Sequence, residues 1–181
     1  MHKLRDAHGE TEADLKSQLE EMAGRGKVYV LGLGNTDRAD DGAGIEVAEA
    51  LKRLFPSFAF SEHDGVEGIV LDLSERDEDL MVFFVDAANI DNVPGSIKLI
   101  SREHIRETEI TTHRVMVGLM ASMLDDRGKK SAVIGIQPER IEFQGEVSQG
   151  VREAIDLVTS VLEQIMRRND RPARNHTRQR T

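Results

Sequence analysis

Apolar positions along the chain follow two spacings, one typical of buried strands and one typical of amphipathic helices. Apolar runs indicate strands that are buried on both faces of a parallel sheet at Val28–Leu33 and Leu80–Val85. Further strands are predicted at Phe58–Phe60, Ser96–Ile100 and Ser131–Ile136. Helical spacing of apolar residues covers residues 43–54, 69–73, 113–124 and 148–167. Strands that alternate with helices predict a single three-layer α/β/α domain with a mostly parallel five-stranded sheet.

Two further segments flank this predicted domain. Leu15, Leu19 and Met22 have helical spacing, so a short amphipathic helix is predicted over about 10–23, and we expect it to dock on the domain. The end of the chain is rich in arginine and has no aliphatic residue larger than alanine, so we expect it to be disordered. The predicted boundaries are 1–26 for the N-terminal extension, 27–167 for the domain and 168–181 for the basic tail.

The composition excludes several classes of function. The chain has no cysteine, which excludes disulfides, a thiolate nucleophile and cysteine-ligated metal sites. Its net charge of −9 argues against general binding of nucleic acid. No apolar run approaches the roughly 18 residues that span a bilayer, and the polar first residues are unlike a signal peptide. We therefore expect a cytoplasmic monomer that binds neither nucleic acid nor membranes.

The segment after the first predicted strand has the most distinctive chemistry. It contains glycines at both ends and Asp37, Asp40 and Asp41 between them, and a predicted helix follows at once. A dinucleotide fingerprint would have its third glycine at position 37, where this chain has aspartate. Carboxylates at a helix N-terminus repel phosphate and attract cations. The segment therefore favours a metal ion or a positively charged group, and the alternative is that the aspartates only cap the helix.

Other metal-ligand residue types occur at further element ends. Asp86 directly follows the most apolar predicted strand, and His113 begins a predicted helix that Thr111 or Thr112 can cap. Sites in open α/β sheets form beyond the carboxyl ends of the strands, so we expect Asp41, Asp86 and His113 to converge. Two carboxylates and an imidazole suit a borderline ion such as Ni²⁺ or Zn²⁺. Each residue by itself has an alternative interpretation. Asp86 is also typical of a turn residue at the end of a strand, and His113 is also typical of a surface histidine at the start of a helix.

Several motifs, in order, resemble those of one family. They are Gly32-Leu33-Gly34-Asn35, Asp40-Asp41-Gly42, Val85-Asp86-Ala87, Thr112-His113, and Ile134-Gly135-Ile136-Gln137-Pro138 followed by Ser148. Together they resemble the motifs of the [NiFe]-hydrogenase maturation endopeptidases, and the resemblance runs from about residue 28 to 166. It implies a phosphorylase/hydrolase-like α/β fold.

The resemblance also implies an activity and its central residues. The implied enzyme is an endopeptidase that removes the C-terminal extension of a [NiFe]-hydrogenase large-subunit precursor after nickel insertion. Asp41, Asp86 and His113 would be both the catalytic residues and the contacts to nickel. The nickel would be carried by the substrate, so we expect no resident structural metal. The chain has neither a Gly-x-Ser-x-Gly elbow nor a His-Glu-x-x-His zinc motif, so the usual serine and zinc hydrolases are unsupported.

Four further residues are expected to support this site. By the resemblance, Gly34 and Asn35 shape the first loop, and Asp40 is a neighbour of the metal-contacting Asp41. The loop after the second strand departs from the family pattern because it lacks a threonine, and there we assign Asp64 as the matching acid.

Two other functions compete with the endopeptidase. One is a phosphate- or nucleotide-binding α/β domain, which Asp37 disfavours. The other is a non-cleaving chaperone or checkpoint protein that binds the same precursor, because recognition and cleavage would use the same three side chains.

Overall fold

A computed structural model describes residues 12–101, 104, 109–110 and 113–170 of the chain. Within these residues the helices are α1 Glu12–Ala23, α2 Ala43–Lys52, α3 Val66–Glu75, α4 Arg114–Asp125 and α5 Gln149–Asn169. The strands are β1 Lys27–Gly32, β2 Ala59–Ser61, β3 Leu80–Asn89, β4 Ile97–Ser101, β5 Glu109–Ile110 and β6 Lys130–Ile136. Short 3-10 turns at Ala39–Gly42 and Glu62–Asp64 follow β1 and β2.

The strands form a sheet in the order β2-β1-β3-β6-β4, and the two-residue β5 pairs with the end of β3. Strands β2, β1, β3 and β6 are parallel, whereas β4 runs antiparallel to β6. The prediction of a mostly parallel five-stranded sheet is therefore confirmed. Strand β5 is absent from the elements that the apolar pattern predicts, and its pairing places Ile110 opposite Ala88. A two-residue strand is too short to show an alternating pattern.

The helices cover both faces of the sheet, which confirms the three-layer architecture. Successive strand residues point to opposite faces, so Met81 and Phe83 pack beneath α1, α2 and α5, whereas Val82 and Phe84 pack beneath α3 and α4. All four side chains are buried, and each contributes about 1.5–3 kcal/mol to folding. Burial on both faces explains why β3 is a continuous apolar run.

The order of the strands creates a crevice above β1 and β3. From β1 the chain proceeds to β2 on one side, and it then returns to β3 on the other side of β1. Such a reversal opens a crevice outside the carboxyl ends of the two strands. Helix α2 begins directly above this point, and a Cβ at Gly44 would collide with the carbonyl oxygens of Leu33 and Val85. Glycine at position 44 therefore allows α2 to approach the sheet closely.

The N-terminal helix docks on the domain, as expected. Leu15 and Leu19 of α1 are buried in the core beside α5. At the rim of this contact, Lys16 Nζ donates a hydrogen bond of 2.8 Å to Gln164 Oε1, and Gln164 Nε2 donates one of 2.9 Å to Glu12 Oε1. Helix α1 therefore extends the hydrophobic core.

The last helix is longer than its apolar pattern predicts. Helix α5 continues through Asn169, whose Nδ2 donates a hydrogen bond of 2.7 Å to the Gly26 carbonyl oxygen. The rest of the predicted tail, and the predicted caps Thr111 and Thr112, lie outside the described residues. In the part of the chain that the structure describes, no helix combines the length and apolarity that crossing a bilayer requires.

Candidate active site

The loop after β1 folds tightly around Asp41. Gly34 has a φ of 131°, and a Cβ there would collide with the Asp41 carbonyl oxygen. The Asn35 backbone N–H donates a hydrogen bond of 3.1 Å to that same oxygen, and Asn35 Oδ1 accepts one of 2.9 Å from the Asp37 N–H. Gly34 and Asn35 therefore shape the loop. The Asp41 residue is buried, at 1% exposure, above the crevice between β1 and β3.

Asp40 is bound by backbone and hydroxyl donors from the loop between β6 and α5. Its Oδ1 accepts a hydrogen bond of 2.6 Å from the Ser148 N–H. Its Oδ2 accepts three more, from the N–H of Glu139 at 2.8 Å, the N–H of Arg140 at 3.0 Å and Ser148 Oγ at 3.0 Å. The carboxylate is fully buried. Asp40 thus fastens the first loop to the start of α5 and fixes the position of its neighbour Asp41.

Asp86 and His113 face each other at the end of β3. Asp86 lies within β3, opposite Gly135 of β6, and is fully buried. His113 is the N-cap residue of α4, and the chain that leads to it includes β5, which pairs with the end of β3. The His113 Nδ1 atom lies 3.7 Å from Asp86 Oδ2. The extra length of β3 therefore brings the histidine to the carboxylate.

The charges of Asp41, Asp86 and His113 influence one another. Burial raises the pKa of Asp86, and the charge of Asp41 raises it further, whereas contact with His113 opposes the rise. The hydrogen bond to Asp86 is the main cause of a raised pKa at His113, and the charges of Glu62 and Asp41 act in the same direction. Two buried carboxylates thus favour positive charge between them, which is the electrostatic requirement for binding a cation.

Glu62 also contacts His113 and is not among the site residues that the sequence predicts. Its Oε2 lies 3.2 Å from His113 Nε2 and accepts a hydrogen bond of 3.1 Å from the Gly34 N–H. One carboxylate therefore links the histidine to the first loop. Glu62 directly follows β2, so the strand-end position that singled out Asp86 would also have identified it.

Asp64 has different contacts. Its carboxylate pairs with Lys52 Nζ at 2.6 Å and accepts a hydrogen bond of 2.9 Å from the Ser61 N–H. Burial alone would raise its pKa, but Lys52 and the Ser61 N–H hold the pKa of Asp64 below its usual value. Asp64 completes a capping box with Ser61 at the 3-10 turn. From the second-strand loop, the structure thus places Glu62 rather than Asp64 against His113.

Gln137 stabilises a further part of this edge of the sheet. Its Oε1 accepts hydrogen bonds of 2.8 Å from the Ile90 N–H and 3.4 Å from the Asn92 N–H. The loop that follows β3 is thereby fixed beside the site. This gives a structural reason for the glutamine in the Gly135–Pro138 motif.

The donor types at the site fit a borderline divalent ion, because carboxylate oxygens and imidazole nitrogens bind such ions together. Within the described ranges, no group of three or more histidine, aspartate or glutamate side chains is arranged as a ready metal site. What the structure shows is the buried carboxylate of Asp86 near His113, with the buried Asp41 close enough for its charge to raise the pKa of both groups.

Comparisons with known proteins define the class. The family model for hydrogenase maturation proteases matches residues 67–165. The chain is 30% identical over 139 residues to the hydrogenase expression/formation protein HupD of Thiocapsa roseopersicina, covering 71% of this chain and 62% of HupD. It is 27% identical over 143 residues to a putative hydrogenase maturation protease of Methanocaldococcus jannaschii, covering 75% of this chain and 93% of that one.

A solved structure shows the same fold. The maturation protease HycI of Thermococcus kodakarensis aligns with a TM-score of 0.69 and 24% identity, covering 83% of this chain and 99% of that one. The α/β fold of this chain is thus the fold of a hydrogenase maturation protease of known structure. The chain belongs to the hydrogenase maturation protease family.

Proposed function

We propose that this chain is the endopeptidase that removes the C-terminal extension from a [NiFe]-hydrogenase large-subunit precursor once nickel has been inserted. Family membership supports the reaction class. The observation that supports the site is the 3.7 Å approach of His113 Nδ1 to Oδ2 of the buried Asp86, beside a buried Asp41 whose charge raises the pKa of both groups.

In this proposal, nickel is part of the substrate. The ion arrives in the precursor, and the side chains of Asp41, Asp86 and His113 close around it. Two buried carboxylates without a cation repel each other, so a divalent ion between them removes an electrostatic cost. His113 must release its proton before a ring nitrogen can bind the ion. Binding therefore couples recognition of the metal to deprotonation of the histidine.

In this proposal, nickel first fixes the position of the scissile peptide bond relative to the site. Holding the scissile bond against the site contributes several kcal/mol to lowering the barrier. A bound ion can also polarise the peptide carbonyl or lower the pKa of a water molecule. The chain has no cysteine, so attack by a thiolate of this chain is excluded, and in this proposal the nucleophile is water.

Glu62 has a role in the same scheme. Its carboxylate contacts His113 Nε2 in the substrate-free protein, so His113 must exchange this partner if Nε2 is to bind the ion. Once released, the Glu62 carboxylate remains at the site as an acceptor for a proton from water. The precursor without nickel lacks the ion that positions its scissile bond at the site. In this proposal it is therefore not cleaved until nickel has been inserted.

The decisive experiment follows the mass of the hydrogenase large-subunit precursor from the same genome, with and without nickel. We expect loss of a C-terminal peptide only from the nickel-loaded precursor. Asp41→Asn and His113→Ala should abolish cleavage, and Asp37→Asn is the matched control, because Asp37 is an exposed aspartate of the same loop. Equal cleavage of nickel-free precursor would overturn the proposed role of nickel. A lasting complex whose mass never changes would instead identify a checkpoint protein that binds without cutting.

A further inference from the structure

Both ring nitrogens of His113 lie next to carboxylates of this chain. Glu62 Oε2 lies 3.2 Å from His113 Nε2, and Asp86 Oδ2 lies 3.7 Å from His113 Nδ1. A ring nitrogen binds a cation through its lone pair, and it must carry no proton when it does so. A cation can therefore bind His113 only after the ring has lost one of these two contacts.

Of the two contacts, the one with Glu62 is the easier to break. Exposure rises from Asp86 at 0%, through the His113 side chain at 12%, to the Glu62 side chain at 35%. Water can solvate the Glu62 carboxylate when it leaves the ring, whereas Asp86 is fixed inside β3. Glu62 Oε2 also accepts a hydrogen bond of 3.1 Å from the Gly34 N–H, which can hold the released carboxylate at the loop after β1. Glu62 is therefore a partner that His113 can exchange.

A free ion and a nickel ion inside the precursor differ in how readily they displace Glu62. A free divalent cation gains only its bonds to the side chains of the site. Nickel in the precursor is accompanied by the other contacts between the two proteins. Binding energy from parts of a substrate that are remote from the reacting centre can offset an unfavourable rearrangement at the site. The contact between Glu62 and His113 therefore opposes binding of the free ion more effectively than binding of the loaded precursor.

We infer that Glu62 is a specificity-determining residue, whose carboxylate shields His113 from free divalent cations and is displaced by nickel that the precursor presents. This inference rests on the proposed function, because it takes Asp41, Asp86 and His113 as the side chains that meet the nickel of the substrate. It adds a function for Glu62 before the substrate arrives. A site that had bound a free cation could not receive the nickel of the precursor, so the shield keeps the protease available.

The test shortens the carboxylate side chain and keeps its charge. Glu62→Asp withdraws the carboxylate from His113 by one methylene group. Glu67→Asp is the matched control, because Glu67 is an exposed glutamate in the first turn of α3. Calorimetry with NiCl2 measures the affinity of each metal-free protein for the free ion. We expect Glu62→Asp to bind Ni²⁺ about fivefold more tightly than the wild type, which is the upper range for breaking a partly exposed ion pair, and Glu67→Asp to match the wild type.

Two further measurements show whether the gain arises at His113 and whether it affects the reaction. The gain in affinity should disappear in the double variant Glu62→Asp/His113→Ala. Free ZnCl2 should inhibit cleavage of the nickel-loaded precursor by Glu62→Asp at a concentration about fivefold lower than it inhibits the wild type. Each rate is compared with that of the same variant without zinc, and Glu67→Asp controls for effects of zinc on the precursor.

The calorimetric result decides the inference. Equal or weaker binding of Ni²⁺ by Glu62→Asp, with its thermal unfolding intact, would overturn it, and so would the absence of Ni²⁺ binding in both proteins. If Glu62→Asp is less stable than the wild type, Glu62→Gln takes its place. Loss of a negative charge by itself weakens the binding of a cation, so a higher affinity in Glu62→Gln would support the shield, and an equal or lower one would overturn it.

The shield and the proposed function can fail separately. If Glu62→Asp gains no affinity while the wild type cleaves only the nickel-loaded precursor, the inference fails and the proposed function stands. If Glu62→Asp gains affinity through His113 while the wild type cleaves the nickel-free precursor equally well, the shield stands and the proposed role of nickel fails.

Discussion

Glu62 and His113 are in direct contact, with 3.2 Å between Glu62 Oε2 and His113 Nε2. The same oxygen accepts the Gly34 N–H, so this pair connects the loops after β1 and β2 with the start of α4. Asp86 approaches the opposite nitrogen of the ring. The imidazole is therefore oriented from both sides by carboxylates, one inside β3 and one directly after β2.

Replacing Glu62 should lower cleavage more than replacing Asp64. Glu62→Ala removes a group that orients His113, and loss of such a partner typically costs 10–100-fold in activity or metal affinity. Asp64→Ala removes a cap and a contact with Lys52, so we expect about 1 kcal/mol less stability and cleavage within about twofold of the wild type. Cleavage of nickel-loaded precursor and thermal unfolding measure the two effects. If Asp64→Ala lowers cleavage more than Glu62→Ala does, Asp64 rather than Glu62 belongs to the site.

His113 should titrate above 6.5 in the metal-free protein, because Asp86, Glu62 and Asp41 all stabilise its protonated form. Because the pKa of His113 is higher in the folded than in the unfolded protein, protonation of His113 stabilises the fold at a pH below the pKa of the unfolded state. This stabilisation is lost as the pH rises through the pKa of the folded state. Asp86→Asn should lower the pKa of His113 more than Glu62→Gln does, since contact with Asp86 is the main cause of the shift. NMR titration measures this, with His113→Gln assigning the resonance among the six histidines. A pKa at or below 6.5 in the wild type would contradict the arrangement.

The apolar pattern predicts the fold well because burial on both faces of the sheet leaves uninterrupted apolar runs. The run Leu80–Val85 marks β3, but the strand continues through the buried Asp86 to Asn89. The apolar run ends at Asp86 because a carboxylate lies inside the sheet at the candidate site. Apolar periodicity cannot reveal that Ala88 pairs with Ile110 of β5, since this pairing depends on a long connection rather than on local pattern.

The site is less predictable than the fold because equivalent residue types stand within a few positions of one another. Glu62 and Asp64 both lie in the turn after β2, and the 3-10 geometry directs one to His113 and the other to Lys52. Asp40 and Asp41 are adjacent, yet Asp40 accepts four hydrogen bonds from the loop before α5. The sequence identifies the acidic loops, and only the packed structure distinguishes the acids within each.

Two glycine-to-alanine changes on helices should have opposite effects. A Cβ at Gly44 would collide with the Val85 and Leu33 carbonyl oxygens, whereas a Cβ at Gly68 meets nothing within 4 Å. Gly44→Ala must displace α2 from the sheet and should cost about 2 kcal/mol or more, and cleavage should fall because the loop with Asp41 leads into α2. Gly68→Ala should stabilise by about 0.5–1 kcal/mol, since alanine favours the helix. Chemical unfolding measures both, and equal effects would refute the close contact at Gly44.

Asp40 should contribute more to stability than the other aspartates of its loop. Asp40→Ala leaves three backbone N–H groups and one hydroxyl without their buried acceptor, and each such loss costs about 1–3 kcal/mol before the loop relaxes. We expect a net loss of about 3 kcal/mol, which for a chain of this size lowers Tm by roughly 6–12 °C. Ser148→Ala removes only the hydroxyl donor and should cost about 1 kcal/mol. Asp37→Ala, at an exposed position, should stay within about 0.5 kcal/mol of the wild type. Calorimetry of the metal-free proteins measures all three, and an Asp40→Ala variant as stable as Asp37→Ala would show that the loop is held by other contacts.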